Sequence, residues 1–312
     1  MGRLFVLGSK DIEMDAVESL LRSQREDYVY AKFGGKRVSP STAYTDGDLI
    51  EVDGYDQLVL VECKPKTSKD IDSVSVDHHF PGDHGYGKPP ILFWCASSLG
   101  QVWSILMPKT EIPPKKYKYI AAADHCLRQA YNGECPGINR DFLIDRRLRI
   151  KAAFKGKTQE DIKRHITNAI NAINIIRERN INIVDIGGET VIDLREGVLI
   201  CPECDEIIVL QNTNKIKLDM ANKECDHSKA QWSPSLPEIM EASCIAGIAV
   251  FEVVKERDTQ RKKVLLMGSN GKAVDVFLNK MSKEMDLEEV YGDIQRGFAG
   301  GYLKTLKIGG NE

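Results

Sequence analysis

The sequence predicts an α/β protein: a parallel sheet with helices on both faces, followed by a smaller C-terminal α/β domain interrupted by an insertion. Three observations predict it. Short apolar runs alternate with segments of helical period through the first half of the chain. Acids and histidines gather directly after those runs, where the carboxyl ends of parallel strands carry functional groups. A second series of apolar runs beyond residue 180 is broken by a polar, cysteine-bearing stretch at about 198–232.

The elements follow in order. "RLFVLGS" is a short apolar run closed by Gly-Ser, as in a buried parallel strand. "DIEMDAVESLLRSQ" spaces Ile12, Met14, Val17, Leu20 and Leu21 helically, with acids in its first turn. "YVYAKF", "QLVLVEC" and "SVSVD" read as strands, "ILFWCASSLGQVWSIL" as one or two apolar helices, and "KYIAAADHCLRQAYNG" as one helix ending near Gly133. "TQEDIKRHITNAINAINIIRERN" traces one apolar face through Ile162, Ile166, Ile170, Ile173 and Ile176 and is expected to connect the halves of the molecule. After it come "INIVDI", "TVIDL", "IMEASCIAGIAVFEVV" and "KKVLLMGS", a second α/β series. The expected organisation is a metal-binding domain at 1–150, a connecting helix at 151–180 and a substrate domain at 181–312.

Composition narrows the function. Charged residues make up 29% of the 312, and 43 basic against 46 acidic residues give a net charge of −3. Coating duplex DNA through many phosphate contacts is therefore disfavoured, although a local basic cleft is not. The apolar run near the N-terminus is too short for a signal-peptide core, and no segment approaches the roughly 18 apolar residues of a membrane span. A cytoplasmic protein without membrane contact is expected, its thiols reduced. Cys63, Cys95, Cys126, Cys135 and Cys244 mostly have apolar neighbours and suit packing roles.

The chemistry concentrates in "VDHHFPGDHGYGK", residues 76–88, which holds three of the six histidines. Carboxylates and imidazoles at a strand end suit a divalent transition metal, and phosphate-ester hydrolysis commonly uses two such ions. Candidate ligands stand in order along the chain: Asp11, Glu13 and Asp15 after the first strand, Glu62 ending "VLVE", Asp77-His78-His79, and Asp124-His125 among alanines. Each has a plainer reading. Asp11 and Glu13 suit a helix's first turn, Glu62 a strand-end surface, and His84 is either substrate-facing or incidental in its Gly/Pro loop. Two adjacent histidines at a strand end are harder to place without chemistry.

The succession of acidic motif, strand-end acid, Asp-His-His and later aspartate resembles the DHH phosphoesterase family. The resemblance implies a parallel-sheet domain with two manganese ions and a smaller C-terminal domain closing over the substrate. The family's first motif, His-x-Asn/Asp-x-Asp-x-Asp, falls here on "SKDIEMD" from Ser9 to Asp15. Asp15 matches its last ligand, Glu13 replaces the preceding aspartate and Ser9 replaces the histidine. Glu62 stands for the family's strand-end aspartate, and Asp124 for its fourth motif. These departures leave open a single metal, recruitment of Asp11, or loss of catalysis.

The expected activity is that of a phosphohydrolase using one or two manganese ions, or magnesium, on a nucleotide, cyclic dinucleotide or short oligonucleotide. Asp15, Glu62, His78 and Asp124 are the expected ligands, with Asp11 and Glu13 as substitutes. Asp77 would orient the neighbouring imidazole, and His79 would contact the scissile phosphate. The alternatives are a non-catalytic nucleotide or nucleic-acid binding protein on the same fold, and hydrolysis of a non-phosphate bond. "RGFAGGYL" partly matches the family's glycine-rich substrate motif, with Tyr302 where histidine is frequent; Arg296, Gly300 and Gly301 then suit a substrate phosphate, or a plain turn.

A second metal is expected in the insertion. "CPEC" at 201–204 and "CDH" at 225–227 offer Cys201, Cys204, Cys225 and His227, a tetrahedral set for structural zinc with no vacancy for water. Between them "IIVLQNTNKIKL" reads as a hairpin. Such a zinc-ribbon-like insertion, locally basic through Lys215, Lys217, Lys223 and Lys229, also suits contact with a nucleic acid or a partner protein.

Overall fold

The computed structural model describes residues 2–40, 42–201, 207–211, 214–217, 230–233, 235–255 and 260–304, with backbone alone at 209–211 and 214–217. The chain divides into two compact units, Met1–Ile138 and Asn139–Glu312.

In the first unit, β1 (Arg3–Leu7), β2 (Asp27–Tyr30), β3 (Gln57–Val61) and β4 (Asp72–Val76) form a sheet in the order β2-β1-β3-β4. Every neighbouring pair runs parallel. The central run Leu4–Leu7 is buried on both faces, which is why it reads as continuous apolar sequence. On one face Phe5, Leu7, Val59, Val61 and Val76 meet Met14, Val17 and Leu21 of α1 (Ile12–Gln24). Leu99, Val102 and Trp103 complete that layer.

The other face differs from expectation. Leu4, Val6 and Leu58 pack there against Ala31, Val38, Ala43, Ile50 and Val52, and the described part of that segment contains no helix. Gly34, Gly35, Pro40, Gly47 and Gly54 interrupt any helical period between residues 31 and 55. Two-residue ladders, Lys32–Phe33 with Lys36–Arg37 and Leu49–Ile50 with Lys66–Thr67, stand in place of a helix.

The apolar stretch after β4 forms α2 (Phe93–Ala96) and α3 (Ser98–Leu106), the latter capped by Ser97. The single helix expected near residues 118–133 is two, α4 (Lys115–His125) and α5 (Leu127–Tyr131). The chain breaks at Cys126, which takes φ −154° and ψ 62°, and whose Sγ lies 3.0 Å from that of Cys135. Tertiary contact overrides local helix propensity here.

The second unit opens with α6 (Arg140–Lys155) and α7 (Gln159–Glu178). Asn139 caps α6 and Gly156, at φ 61°, ends it. α7 buries Ile162, Ile166, Ile173 and Ile176 within this unit's own cores. Next come β5 (Ile183–Ile186), β6 (Glu189–Asp193), β7 (Val198–Ile200), β8 (Ile207–Gln211), β9 (Asn214–Lys217) and β10 (Gln231–Ser233). After them follow α8 (Ile239–Ala246), β11 (Ala249–Lys255), β12 (Lys262–Met267), α9 (Lys272–Val276), β13 (Leu287–Asp293) and β14 (Phe298–Leu303). A mixed six-stranded sheet runs β13-β14-β12-β11-β6-β5, with β6 and β11 its parallel pair. Separately, β9-β8-β7-β10 make a four-stranded antiparallel sheet containing the expected hairpin, β8 with β9. Cys204, Cys225 and His227 lie outside the described residues; Cys201 is buried directly after β7. Among the described residues no helix is long and apolar enough to cross a membrane.

Candidate metal centre

Four segments of the first unit bring titratable groups to the carboxyl ends of its strands. The end of β1 approaches the end of β3 so closely that a Cβ on Gly8 would stand 2.2 Å from the Glu62 carbonyl oxygen. Glu62 itself takes φ 51°, a left-handed conformation uncommon outside glycine, and this sharp turn off the strand accompanies a buried carboxylate. β4 ends at Val76 and delivers Asp77, His78 and His79. The first turn of α1 supplies Glu13, and the last turn of α4 supplies Asp124 and His125.

His78 is fully buried at the centre of these groups. Its Nε2 lies 3.1 Å from Asp124 Oδ2, 3.5 Å from Glu62 Oε1 and 4.0 Å from Glu13 Oε2. One ligand atom from each of the four residues falls within 4.8 Å of all the others; His79 makes a second, overlapping set with Glu62 and His78. Glu13 Oε1 accepts the Leu99 N–H at 3.1 Å, while Glu13 Oε2 and Glu62 Oε1 are buried and accept no hydrogen bond.

The electrostatics follow from crowding. Burial first, then the charges of Asp124, Glu62 and Asp11, push the Glu13 carboxyl well above its ordinary range. Burial likewise pushes Glu62 up to about 8, with His79 pulling it down and Asp11 and Asp124 pushing it further up. Asp11 caps α1 through the Met14 N–H at 2.7 Å. Burial and the charge of Asp124 raise its carboxyl to about 6. Buried carboxylates held this close are costly unless a cation joins them. The buried carboxylate oxygens that accept nothing, converging on an imidazole nitrogen, fit a metal ion. Oxygen and imidazole donors do not by themselves fix its identity.

Asp77 is buried beside the group. Its Oδ1 accepts the His78 N–H at 2.7 Å, the His79 N–H at 3.0 Å and His79 Nδ1 at 2.8 Å. Its Oδ2 accepts the Tyr44 hydroxyl at 2.8 Å. Burial alone would raise this carboxyl, but the bonds from His79, Tyr44 and the His78 N–H outweigh it and hold it below the ordinary range. His79 is held by Asp77 with 32% of its side chain exposed, available to a ligand.

The remaining expected residues fall elsewhere. Asp15 is exposed and stands outside the grouped ligands, whereas Glu13 is buried among them. Two positions apart on a helix differ by about 200°, so only one of the pair can face the centre. His84 is exposed on the loop after β4. In the second unit Gly300 and Gly301 lie inside β14 and both pair with β12; Gly300 also pairs with Tyr291 of β13, and a Cβ on it would meet the Tyr291 ring. The Arg296 guanidinium lies 4.8 Å from the centroid of the Phe298 ring.

Sequence reasoning missed Tyr44, Asp83 and Gln101. Asp83 Oδ2 accepts the N–H groups of His79 and Phe80, and Gln101 Nε2 donates to the Asp77 carbonyl at 3.0 Å. The Asp83 signal was present, since an aspartate four residues after His79 suits a turn-closing acceptor. Tyr44 left none, being fixed by tertiary packing within an irregular segment. Comparison with known proteins finds no family model, no curated protein and no solved structure that matches this chain.

Proposed function

We propose that this protein is a metal-dependent phosphohydrolase of the DHH kind, acting on a nucleotide, cyclic dinucleotide or short oligonucleotide. The observation that carries the reading is the convergence of Glu13, Glu62, His78 and Asp124, drawn from four segments, beside the hydrogen-bonded Asp77–His79 pair. Glu13, Glu62, His78 and Asp124 would hold the ion, with Asp11 next to them. Manganese or magnesium bound there supplies Lewis acidity toward a phosphoryl oxygen and lowers the pKa of a water. Asp77 fixes the His79 ring through Nδ1, so that Nε2 is the atom offered to substrate, where the imidazolium form donates to a phosphoryl oxygen as charge develops. Tyr44 and the His78 N–H keep Asp77 ionised for that task.

Ser9 in place of an imidazole and the outward position of Asp15 favour one ion over two. The same departures favour, as second reading, a nucleotide or nucleic-acid binding protein that no longer turns over. Incubating the protein with manganese and a panel of phosphodiesters and phosphomonoesters, with product masses recorded, separates the two. Metal-dependent products that vanish in His78→Ala support hydrolysis. Binding of nucleotides without any product supports the second reading.

The C-terminal substrate domain with structural zinc at Cys201, Cys204, Cys225 and His227 belongs to the same proposal, supported by the buried Cys201 at the end of an inner strand of the antiparallel sheet. Elemental analysis of protein purified under reducing conditions tests it: fewer than about half an equivalent of zinc per chain would make these ordinary cysteines.

A further inference from the structure

The sequence offers Asp124-His125 as a candidate ligand pair; His125 stands outside the grouped ligands, fully buried, and touches the centre from behind. Its Nδ1 lies 3.3 Å from Nδ1 of His78, and the two ring planes are 24° apart, suitable for an in-plane N–H···N bond. Its Nε2 lies 3.1 Å from the carbonyl oxygen of Lys88. A carbonyl oxygen only accepts, so the proton of that bond belongs to His125 Nε2. A neutral His125 then has its lone pair on Nδ1 and must accept from His78 Nδ1. His78 therefore carries a proton on Nδ1, which leaves Nε2, the atom facing Glu13, Glu62 and Asp124, as the nitrogen that an ion would engage.

The Lys88 carbonyl is well anchored for this. Pro89 follows it and biases Lys88 toward an extended backbone. The loop is tied down where the Gly85 N–H reaches the Asp77 carbonyl at 3.0 Å. Gly85 has no room for a side chain, because a Cβ would stand 2.0 Å from the Ala96 carbonyl oxygen and 2.6 Å from His78 Cβ.

We infer that His125 is a positioning residue: with the Lys88 carbonyl it forms a relay that fixes the His78 tautomer and presents Nε2 to the metal. The inference rests on the metal-centre reading for its consequence, but the relay itself is a property of the ion-free protein. Imidazoles that bind metals commonly gain basicity and orientation from a bond on their other nitrogen, and losing such a partner typically costs 10–100-fold in affinity. A second imidazole performs that task here.

The test uses the full chain. Long-range proton–nitrogen correlation spectra of the ion-free wild type read which nitrogen of His125 is protonated; Nε2 is expected, and a proton on Nδ1 instead would overturn the relay. Manganese titration then compares two variants. His125→Asn keeps an acceptor near the Nδ1 position and is expected to bind within about 3-fold of wild type. His125→Phe keeps a ring without an acceptor and is expected to bind roughly 10–100-fold more weakly, at a melting temperature no lower than that of the Asn variant. Equal affinity in the Phe variant, or equal loss in both, overturns the inference. A wild type that takes up no divalent ion defeats the metal reading, and the His125 spectrum still decides the relay.

Discussion

Tyr44 and Asp77 are joined by a 2.8 Å bond from the phenol hydroxyl to Oδ2, while the same hydroxyl lies 3.3 Å from His79 Nδ1. One side chain from an irregular segment thus steadies both the carboxylate and the imidazole it orients. Tyr44→Phe is expected to slow turnover roughly 10-fold or more while leaving manganese affinity within about 3-fold, because Tyr44 touches the orienting pair rather than the ligands. Steady-state kinetics beside metal titration checks this, and unaltered turnover would remove Tyr44 from the machinery.

His78→Ala removes the central nitrogen of the group, leaving Glu13, Glu62 and Asp124 without their shared partner. Turnover should fall by several orders of magnitude, and the manganese-induced rise in melting temperature should disappear. Circular dichroism establishes that the variant is folded; full turnover at saturating manganese would contradict the proposed centre.

Gly8→Ala would drive a methyl group into the Glu62 carbonyl, 2.2 Å away. Something in the β1–β3 contact must shift, at a cost of about 1–3 kcal/mol in folding free energy. Because the displaced residue carries a ligand, metal affinity should drop with stability. Denaturant melts with and without manganese read both effects, and a variant as stable as wild type would mean that the strand ends are not held this close.

Legibility tracks locality. The β1 and β3 strands and α1 are visible in the sequence because their apolar periods match the faces they bury; β4 is visible through its alternation alone, since only its Val76 is buried, and Glu62 and His78 are visible as polar breaks in that pattern. The choice between Glu13 and Asp15 was not, since both fit a helix's first turn and only the direction of the buried face decides it. α6 was overlooked because its described buried residues are few, Leu143 and Ala152, in a strongly charged segment. Its Asn139 cap and Gly156 terminus were the available signals. Tyr44 and the split at Cys126 depend on tertiary contacts, which no periodicity encodes.

Glu252 makes a separate prediction, away from any proposed ligand. Buried at 2% exposure on β11, with Oε2 accepting no hydrogen bond, it is pushed up to about 7 by burial, against a hydrogen bond from Ser235. The raised value means the folded state holds its proton where the unfolded chain has lost it. Stability from this group is complete below about pH 4.5 and is lost as pH rises toward 7, by roughly 3 kcal/mol in all. Glu252→Gln should therefore be more stable than wild type at pH 8, with the advantage shrinking toward pH 5. Chemical denaturation across that range reads it, and parallel curves for the two proteins would refute the assignment.

The four converging groups are spread from position 13 to position 124, one on each of four separate segments. A growing chain on the ribosome cannot assemble them until α4 has emerged, and each acid stays solvated meanwhile. The mutual repulsion of Glu13, Glu62 and Asp124 therefore enters at the end of folding, when the helical layer closes over β1, β3 and β4. An ion that relieves it acts at that same moment, so its capture would mark the completion of the first unit and hold a finished molecule apart from an unfinished one.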